Sequence, residues 1–313
     1  MPLKPLLLAV CLALAAAGAR AEPLRLVLGT ATPGGGFPAY GAALAASVRE
    51  ADPDLVVETR ATGGSAENLG LLRAGTVDIA LVQGEFAYAA LETGAPAARL
   101  TVVAPMYATP GLLVVAAASP VRTLADLRGK PVALGTRNSG LTMMGRAVLA
   151  ASGIDPERDI TPILLEQAGD GPGLVADGRA AALWGGGLGW PGFTAVAAAP
   201  GGARFIGPNA AAIETVLAAR SSLRRMTVPA GSFRGQEAAI ETVGSWSLIL
   251  ARPGLEPAAA HRLIAAIDHA REALAKRLPQ GRDSDPKNLA AAVPPDTLNP
   301  GTARYLAETG VPR

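Results

Sequence analysis

Three short loops rich in glycine and small polar residues contain the groups of this sequence best suited to bind an anion. They read GTATPGGGF at 29–37, ATGGSAEN at 61–68 and GTRNSG at 135–140, each after a strand-like run and before a helix-like one. The first turn of a helix has N–H groups without intrahelical partners, and the helix dipole makes that end positive. Three such ends in one cleft would bind a carboxylate or another small anion without a dedicated arginine.

Each loop taken alone has a simpler explanation, because glycine, serine and asparagine are ordinary helix-capping residues. The case for a site rests on there being three loops, each after a strand, where open α/β sheets bind their ligands. Arg137 could hold a ligand carboxylate through two N–H groups, or it could lie in solvent. Gln83 and Glu85 end a predicted strand and could face a cleft or a surface turn. We expect Trp184 and Trp246 to be core residues, with a contact to the cleft left open.

Nucleotide-binding patterns are absent from the first loop, which contains no lysine and therefore no G-x-x-x-x-G-K-[ST]. The spacing G-x-G-x-x-G does occur once, at Gly187, Gly189 and Gly192. That match contains Trp190 and Pro191 and lacks an acidic residue at the position expected to contact a ribose. We interpret it as a strand-to-helix turn at the rim of a cleft and expect no dinucleotide.

The residue sets of common hydrolases and metalloenzymes are also missing. The sequence has no G-x-S-x-G and no H-E-x-x-H, and its two histidines, His261 and His269, lie in one polar helical segment. We therefore expect no catalytic residues, no metal site and no cofactor.

Residues 1–21 have the pattern of a secretory signal peptide. Lys4 precedes the apolar run LLLAVCLALAAAG, and small residues stand at Ala19 and Ala21. The run is shorter than the roughly 20 apolar residues that cross a bilayer. We expect cleavage between Ala21 and Glu22 and a periplasmic location.

Loss of this segment would leave a chain without net charge. The sequence has 28 Lys and Arg against 26 Asp and Glu, and Lys4 and Arg20 would leave with the signal peptide, which makes 26 of each. Nothing in that balance favours a nucleic acid or a membrane surface as partner. Cys11, the single cysteine, would leave as well, so no disulfide or thiolate ligand would remain.

The elements that position the three loops alternate between strands and helices. In the first third, predicted strands at 24–30, 54–62 and 77–83 flank predicted helices at 39–49 and 65–75. Alternation of this kind indicates a parallel sheet covered on both faces.

Two long apolar stretches, 101–119 and 242–253, separate this first unit from a second. Pro105 and Pro110 lie in the first stretch, and because proline interrupts strand pairing we expect a segment crossing between domains, not one central strand. Between the stretches the alternation restarts, with predicted strands at 131–136, 160–166 and 180–186. Helices are predicted at 256–278 and near 301–309.

We therefore predict an α/β fold with two lobes joined by crossing β-segments around a ligand cleft. Lobe 1 would comprise 22–112 with 246–313, and lobe 2 would comprise 113–245. Hinges in the crossing segments would allow the lobes to close on a ligand.

Five longer stretches follow one another in an order typical of one protein family. They are LGTATPGGGFPAYGAALA, ATGGSAENLGLLRAGTVDIALVQGEFAY, LADLRGKPVALGTRNSG, VPAGSFRGQEAAIETVG and LNPGTARYLAETG. The chain resembles the TAXI family, the extracytoplasmic solute-binding proteins of one class of TRAP (tripartite ATP-independent periplasmic) transporters. The resemblance covers nearly all of the chain after the signal peptide.

This resemblance implies a fold like that of the type II periplasmic binding proteins. It also implies capture of a small organic acid or amino acid by cleft closure, and delivery to an integral membrane permease driven by an ion gradient. We expect a monomer without a nucleic-acid partner. The ligand-binding residues that follow from it, with Arg137 added from its place in the third loop, are Thr30, Gly35, Gly36, Phe37, Ser65, Asn68, Gln83, Tyr107, Ser139 and Gly140.

The chain departs from the family pattern near the expected ligand. Pro38 and Ala39 stand where an aromatic residue and a proline are usual, Glu85 where aspartate is usual, Leu112 where histidine is common, and Leu141 where threonine is usual. Each change removes or moves a polar group, so we expect a ligand less polar than glutamate.

Two alternative functions stay open. The protein could present its ligand to a membrane sensor instead of a permease, and the sequence does not separate these two. It could also be an enzyme on the same two-lobed fold, although the missing catalytic residue sets argue against this.

Overall fold

The computed structural model describes residues 22–93, 95 and 98–311, so the predicted signal peptide at 1–21 lies outside the described residues. The strands of this part are β1 Leu24–Gly29, β2 Leu55–Arg60, β3 Ile79–Val82, β4 Thr101–Ala116, β5 Pro131–Thr136, β6 Thr161–Leu165, β7 Ala182–Gly186, β8 Ala203–Ile206, β9 Arg224–Val228 and β10 Ile240–Ala251.

Helices alternate with these strands. They are α1 Gly36–Ala51, α2 Ser65–Arg73, α3 Gly84–Leu91, α4 Gly140–Ala151, α5 Gly171–Ala176, α6 Pro191–Ala198, α7 Ala210–Ala219, α8 Pro257–His269, α9 Arg271–Arg277, α10 Leu289–Ala292 and α11 Pro300–Thr309. The predicted terminal helix at 256–278 is divided in the structure, between α8 and α9. No described helix has both the length and the hydropathy that crossing a bilayer requires.

The sheet explains how two α/β units are joined. Its strand order is β2-β1-β3-β10-β4-β7-β5-β6, with β8 paired to β4 and β9 paired to β10. In one lobe β1 is parallel to β2 and β3, and in the other β5 is parallel to β6 and β7. The long strands β4 and β10 are antiparallel to each other and connect the lobes. The fold is therefore a two-lobed α/β arrangement joined by two crossing strands, as predicted.

The expectation that prolines would exclude one central strand at 101–119 is wrong. β4 is a continuous strand between β10 and β7, and it contains both Pro105 and Pro110. Its pairing with β10 is irregular beside the first proline, since Trp246 is opposite Ala108 whereas Leu248 is opposite Pro105. Such a bulge accommodates the missing N–H of a proline without ending the strand.

Each lobe has its own apolar core. The core of lobe 1 packs α1 and α8 against the sheet through residues such as Leu44 and Ile264. Lobe 2 has two clusters, and alternate residues of β4 belong to different ones: Leu113 to the first and Leu112 and Val114 to the second. Because successive side chains of a strand point to opposite faces, the two clusters cover both faces of that sheet. The boundaries proposed after residues 112 and 245 stay a prediction, since β4 and β10 contribute to both lobes.

Candidate ligand-binding site

A cavity of about 70 Å³ lies between the two lobes, beside the β4–β10 pair. Its apolar side chains are Ala31, Phe37, Leu134, Leu141, Ala168, Trp184 and Trp190. Its polar side chains are Thr32, Ser65, Gln83, Tyr107, Thr109, Thr136, Ser139 and Ser247. The remaining lining residues are Gly35, Gly36, Gly64, Gly135 and Gly186. None of the lining residues that the structure describes has a charged side chain, so neutral groups must compensate any charge on a ligand.

Five of the described helices begin at the wall of this cavity. The residues that precede them and line the cavity are Gly35 before α1, Gly64 before α2, Gln83 before α3, Ser139 before α4 and Trp190 before α6. Among these five, only Ser139 caps its own helix through its side chain, accepting a hydrogen bond from the Leu141 N–H at 3.2 Å. The positive ends of several helix dipoles therefore face one small, largely apolar space. This arrangement suits an anion.

Hydrogen bonds between the lobes keep the cleft closed. The Ala168 N–H donates to Thr32 Oγ1 at 3.2 Å, and the Gly169 N–H donates to the Pro33 carbonyl at 3.2 Å. The Ala66 N–H donates across the cleft to the Asn138 carbonyl at 3.4 Å. Each bond joins one of the predicted loops to the opposite lobe, so closure depends on these loops.

Thr30 and Asn68, two predicted ligand contacts, lie behind the cavity wall. The Asn68 side-chain amide donates to the Thr30 carbonyl at 2.7 Å and to the Leu81 carbonyl at 2.8 Å. Thr30 Oγ1 donates to the Arg60 carbonyl at 2.9 Å. Both side chains are buried and hold together the carboxyl ends of β1, β2 and β3. They therefore position the loops that line the cavity.

We expect Asn68→Ala to lower the free energy of unfolding by about 2 kcal/mol, because the variant loses two buried hydrogen bonds and the Thr30 carbonyl keeps only the bond from Thr62 Oγ1. Urea unfolding measures the change. Asn138→Ala is the control, since Asn138 is exposed and its side chain should contribute little. If Asn68→Ala lowers the free energy of unfolding no more than Asn138→Ala does, Asn68 does not hold the strand ends together.

A buried hydrogen-bonded chain runs away from the cavity behind Gln83. The Gln83 side-chain amide donates from Nε2 to Ser245 Oγ at 2.8 Å, and Ser245 Oγ donates to Glu85 Oε2 at 3.1 Å. Burial raises the pKa of Glu85 to about 7, and the hydrogen bonds to its carboxylate offset only part of that effect. Contrary to the prediction, Glu85 does not end the strand but lies in the first turn of α3, where it is buried next to the site and outside the lining.

Close packing at the cleft also explains Gly140. A Cβ atom on Gly140 would overlap Gln83 Oε1 and lie 2.8 Å from Gln83 Cδ. Only glycine lets the start of α4, in lobe 2, approach Gln83 in lobe 1 this closely.

The predicted ligand contacts thus fall into three groups. Those that line the cavity are Gly35, Gly36, Phe37, Ser65, Gln83, Tyr107 and Ser139. Those packed behind its wall are Thr30, Asn68 and Gly140. Arg137 is exposed and does not line the cavity. A direct contact of any of these residues with a ligand stays a prediction.

Several lining residues were not predicted. Thr109 and Ser247 lie on the paired strands β4 and β10, and their hydroxyl groups are hydrogen-bonded at 3.0 Å. Trp184 belongs to the lobe 2 core, as expected, and also lines the cavity, where its indole N–H donates to the Leu141 carbonyl at 2.7 Å. Trp190, which argues against a dinucleotide loop in the sequence, also lines the cavity. The glycines near Trp190 in the sequence, Gly185 and Gly192, are the feature that could have indicated a closely packed tryptophan there.

The described segments also lack a cluster of side chains that could bind a metal ion. In them, no three His, Cys, Asp or Glu side chains are placed to bind a metal ion together.

A model of the NMT1-like family matches residues 28–310, almost the whole described chain. No curated protein matches the chain in sequence.

Solved structures resemble the fold. The alkanesulfonate-binding protein SsuA from Xanthomonas axonopodis pv. citri, bound to MOPS, is 20% identical with a TM-score of 0.51, over 92% of this chain and 85% of its own. The periplasmic binding protein BugD is 13% identical with a TM-score of 0.58, over 93% and 99%. A mutant OxyR of Corynebacterium glutamicum with bound hydrogen peroxide is 15% identical with a TM-score of 0.51, over 98% and 75%. At these identities the likeness concerns the fold alone.

Proposed function

The chain belongs to the NMT1-like family, and we propose that it is an exported solute-binding receptor which captures a small carboxylate by closing its two lobes. The observation that carries this proposal is the convergence of five helix N-termini on one cavity between the lobes. Helix N-termini bind anions through free N–H groups and the helix dipole. The closed cleft, with its backbone hydrogen bonds between lobes, supports capture by closure.

The size of the cavity supports a short ligand. That space suits a short-chain monocarboxylate such as butyrate. Glutamate needs a partner for its ammonium group, and the described lining offers no acidic side chain. The apolar wall favours a hydrocarbon tail.

The partner is proposed from the sequence resemblance. The TAXI-like motifs support delivery of the ligand to a TRAP-type permease in the membrane, with the receptor acting as a monomer in the periplasm. Presentation to a membrane sensor is the alternative. Uptake of labelled butyrate into vesicles that carry the proposed permease subunits, in the presence of this protein, would support the permease. Co-purification with those subunits without uptake would support the sensor.

A thermal-shift screen on the purified protein, unfolded and refolded to remove bound ligand, tests the binding function. We expect butyrate at 100 times its Kd to add about 2.7 kcal/mol, which raises Tm by roughly 5–10 °C. Glutamate and butyramide should give no shift at equal concentration. Propanesulfonate tests whether the site prefers a sulfonate, the class named for SsuA. Absence of any response to the acids would contradict the proposal, and turnover of a bound acid would indicate an enzyme.

A further inference from the structure

The glycine-rich segment 187–192, which has the spacing of a dinucleotide loop, needs a different explanation. Gly187 and Gly189 have φ angles of +92° and +74°, a region that favours glycine. The Gly187 N–H donates to the Pro110 carbonyl of β4 at 3.0 Å, and the Trp190 N–H donates to the Gly187 carbonyl at 3.3 Å. The segment is therefore a tight turn anchored to the strand that connects the lobes.

The same glycines make space for one side chain, the indole of Trp190. A Cβ on Gly185 would lie 2.5 Å from Trp190 Cε3, and a Cβ on Gly192 would overlap the same six-membered ring. Phe193 packs its ring edge-on, with centroids 4.9 Å apart at 86°. Trp190 is only 6% exposed. Its ring is therefore fixed from several sides, and its pyrrole edge lies near Gly36 of lobe 1.

Near Gly36, the pyrrole edge of Trp190 lies close to a second buried donor, the Tyr107 hydroxyl. A Cβ built on Gly36 would lie 3.2 Å from Trp190 Cδ1, 3.9 Å from Trp190 Nε1 and 3.2 Å from Tyr107 Oη. Both residues line the cavity, and Tyr107 is 3% exposed. Within the described chain, neither the indole N–H nor the phenol has a hydrogen-bond partner. Both donors lie at the cavity wall in largely buried side chains, so an acceptor on a ligand in the cavity could pair with both.

We propose that Trp190 is the specificity-determining residue of lobe 2, and that its indole N–H and the Tyr107 hydroxyl together bind one acceptor group, the ligand's carboxylate. This rests on the proposed function, because it assigns the head-group contacts of that same ligand. Binding between the lobes would make the carboxylate itself the bridge that keeps the cleft closed.

The chemistry of the two donors defines what they select. An indole N–H can only donate, and burial raises the pKa of Tyr107, which keeps the phenol protonated and able to donate. Two donors beside helix N-termini favour an acceptor-only, negatively charged group, since a hydrogen bond to a charged group is the stronger kind. A neutral amide of the same length brings its own N–H groups and no charge. The site should therefore discriminate butyrate from butyramide.

Calorimetric titration with butyrate tests the role of Trp190. Trp190→Phe keeps an aromatic ring and removes the N–H, and we expect it to weaken butyrate binding about 10- to 100-fold. Trp246→Phe is the control, because Trp246 lies on β10 outside the cavity lining and should leave affinity unchanged. Tyr107→Phe should also weaken binding, and the loss in the double variant should be smaller than the product of the single losses.

Ligand binding near Trp190 can also be followed in the wild-type protein by NMR, so the result does not depend on the affinity measured for a variant. In a ¹⁵N-correlated NMR spectrum, the indole signal missing from Trp190→Phe identifies Trp190, and butyrate should shift that signal but not the signal of Trp246. Wild-type affinity in a folded Trp190→Phe protein, or an unmoved Trp190 signal at saturation, would overturn the assignment while leaving the receptor function intact. Losses that multiply in the double variant would overturn the shared head group. Absence of butyrate binding by the wild type would overturn the receptor proposal and this one together.

Discussion

Gly34→Ala is expected to reduce ligand affinity at least about 100-fold while most of the stability of the fold is kept. Gly34 has a φ of +77°, and a Cβ on it would overlap the backbone of Gly169 in the opposite lobe and lie 2.7 Å from its nitrogen. This contact is beside the hydrogen bond from the Gly169 N–H to the Pro33 carbonyl. No rotamer change can relieve a clash with backbone, so the closed cleft becomes inaccessible. Titration with butyrate measures the loss.

Gly75→Ala is the control that distinguishes a block of lobe closure from local backbone strain. Gly75 has a similar φ of +66°, and a Cβ on it would meet nothing within 4 Å. Both variants thus carry the cost of an alanine in the left-handed region, about 1 kcal/mol. Only Gly34→Ala should lose affinity. Equal affinities in the two variants would show that the lobes bind ligand without approaching at this point.

Glu85→Gln is expected to remove a pH dependence of stability of roughly 3 kcal/mol. Burial raises the pKa of Glu85 to about 7 from an ordinary value of 4.5, so the folded protein binds this proton more tightly than the unfolded chain does. The stabilisation by the neutral acid is fully present below pH 4.5 and is lost as the pH rises through 7. A shift of this size corresponds to about 3 kcal/mol. The amide of glutamine stays neutral and can accept the hydrogen bond from Ser245.

Urea unfolding between pH 4 and pH 8.5 compares the two proteins. Wild-type stability should fall between pH 4.5 and 8 relative to Glu85→Gln, and the variant should be the more stable protein at pH 8. Glu92→Gln, an exposed change at the end of the same helix, is the control and should follow the wild type. Parallel curves for wild type and Glu85→Gln would mean that Glu85 does not titrate differently on folding.

The local elements and the fold class were predictable because their signals are local. Alternating strand and helix patterns mark β1 to β3 with α1 and α2, and glycine or serine precedes the helices of all three predicted loops. The two apolar stretches marked the connecting strands. The prolines of β4 misled the prediction, because the bulge that accommodates Pro105 is made with a residue pair on β10, far away in the sequence.

The candidate site was predicted only in part, because neighbours in sequence can face different surroundings. Ser65 and Asn68 lie one helical turn apart on α2, yet Ser65 lines the cavity and Asn68 reaches backwards to the carbonyls of Thr30 and Leu81. Arg137 follows a lining residue, Thr136, and is itself exposed. The direction of each side chain depends on the element packed behind it.

The sequence by itself determined where the anion-binding helix starts lie along the chain and that two α/β units share a crossing. Only the tertiary structure decided that five such starts meet, that Gly34 touches Gly169, and that Trp190 faces Tyr107. The physical reason is that capping and periodicity are properties of a few consecutive residues. The approach of two lobes depends instead on the pairing of β4 with β10, which brings residues more than a hundred positions apart into contact.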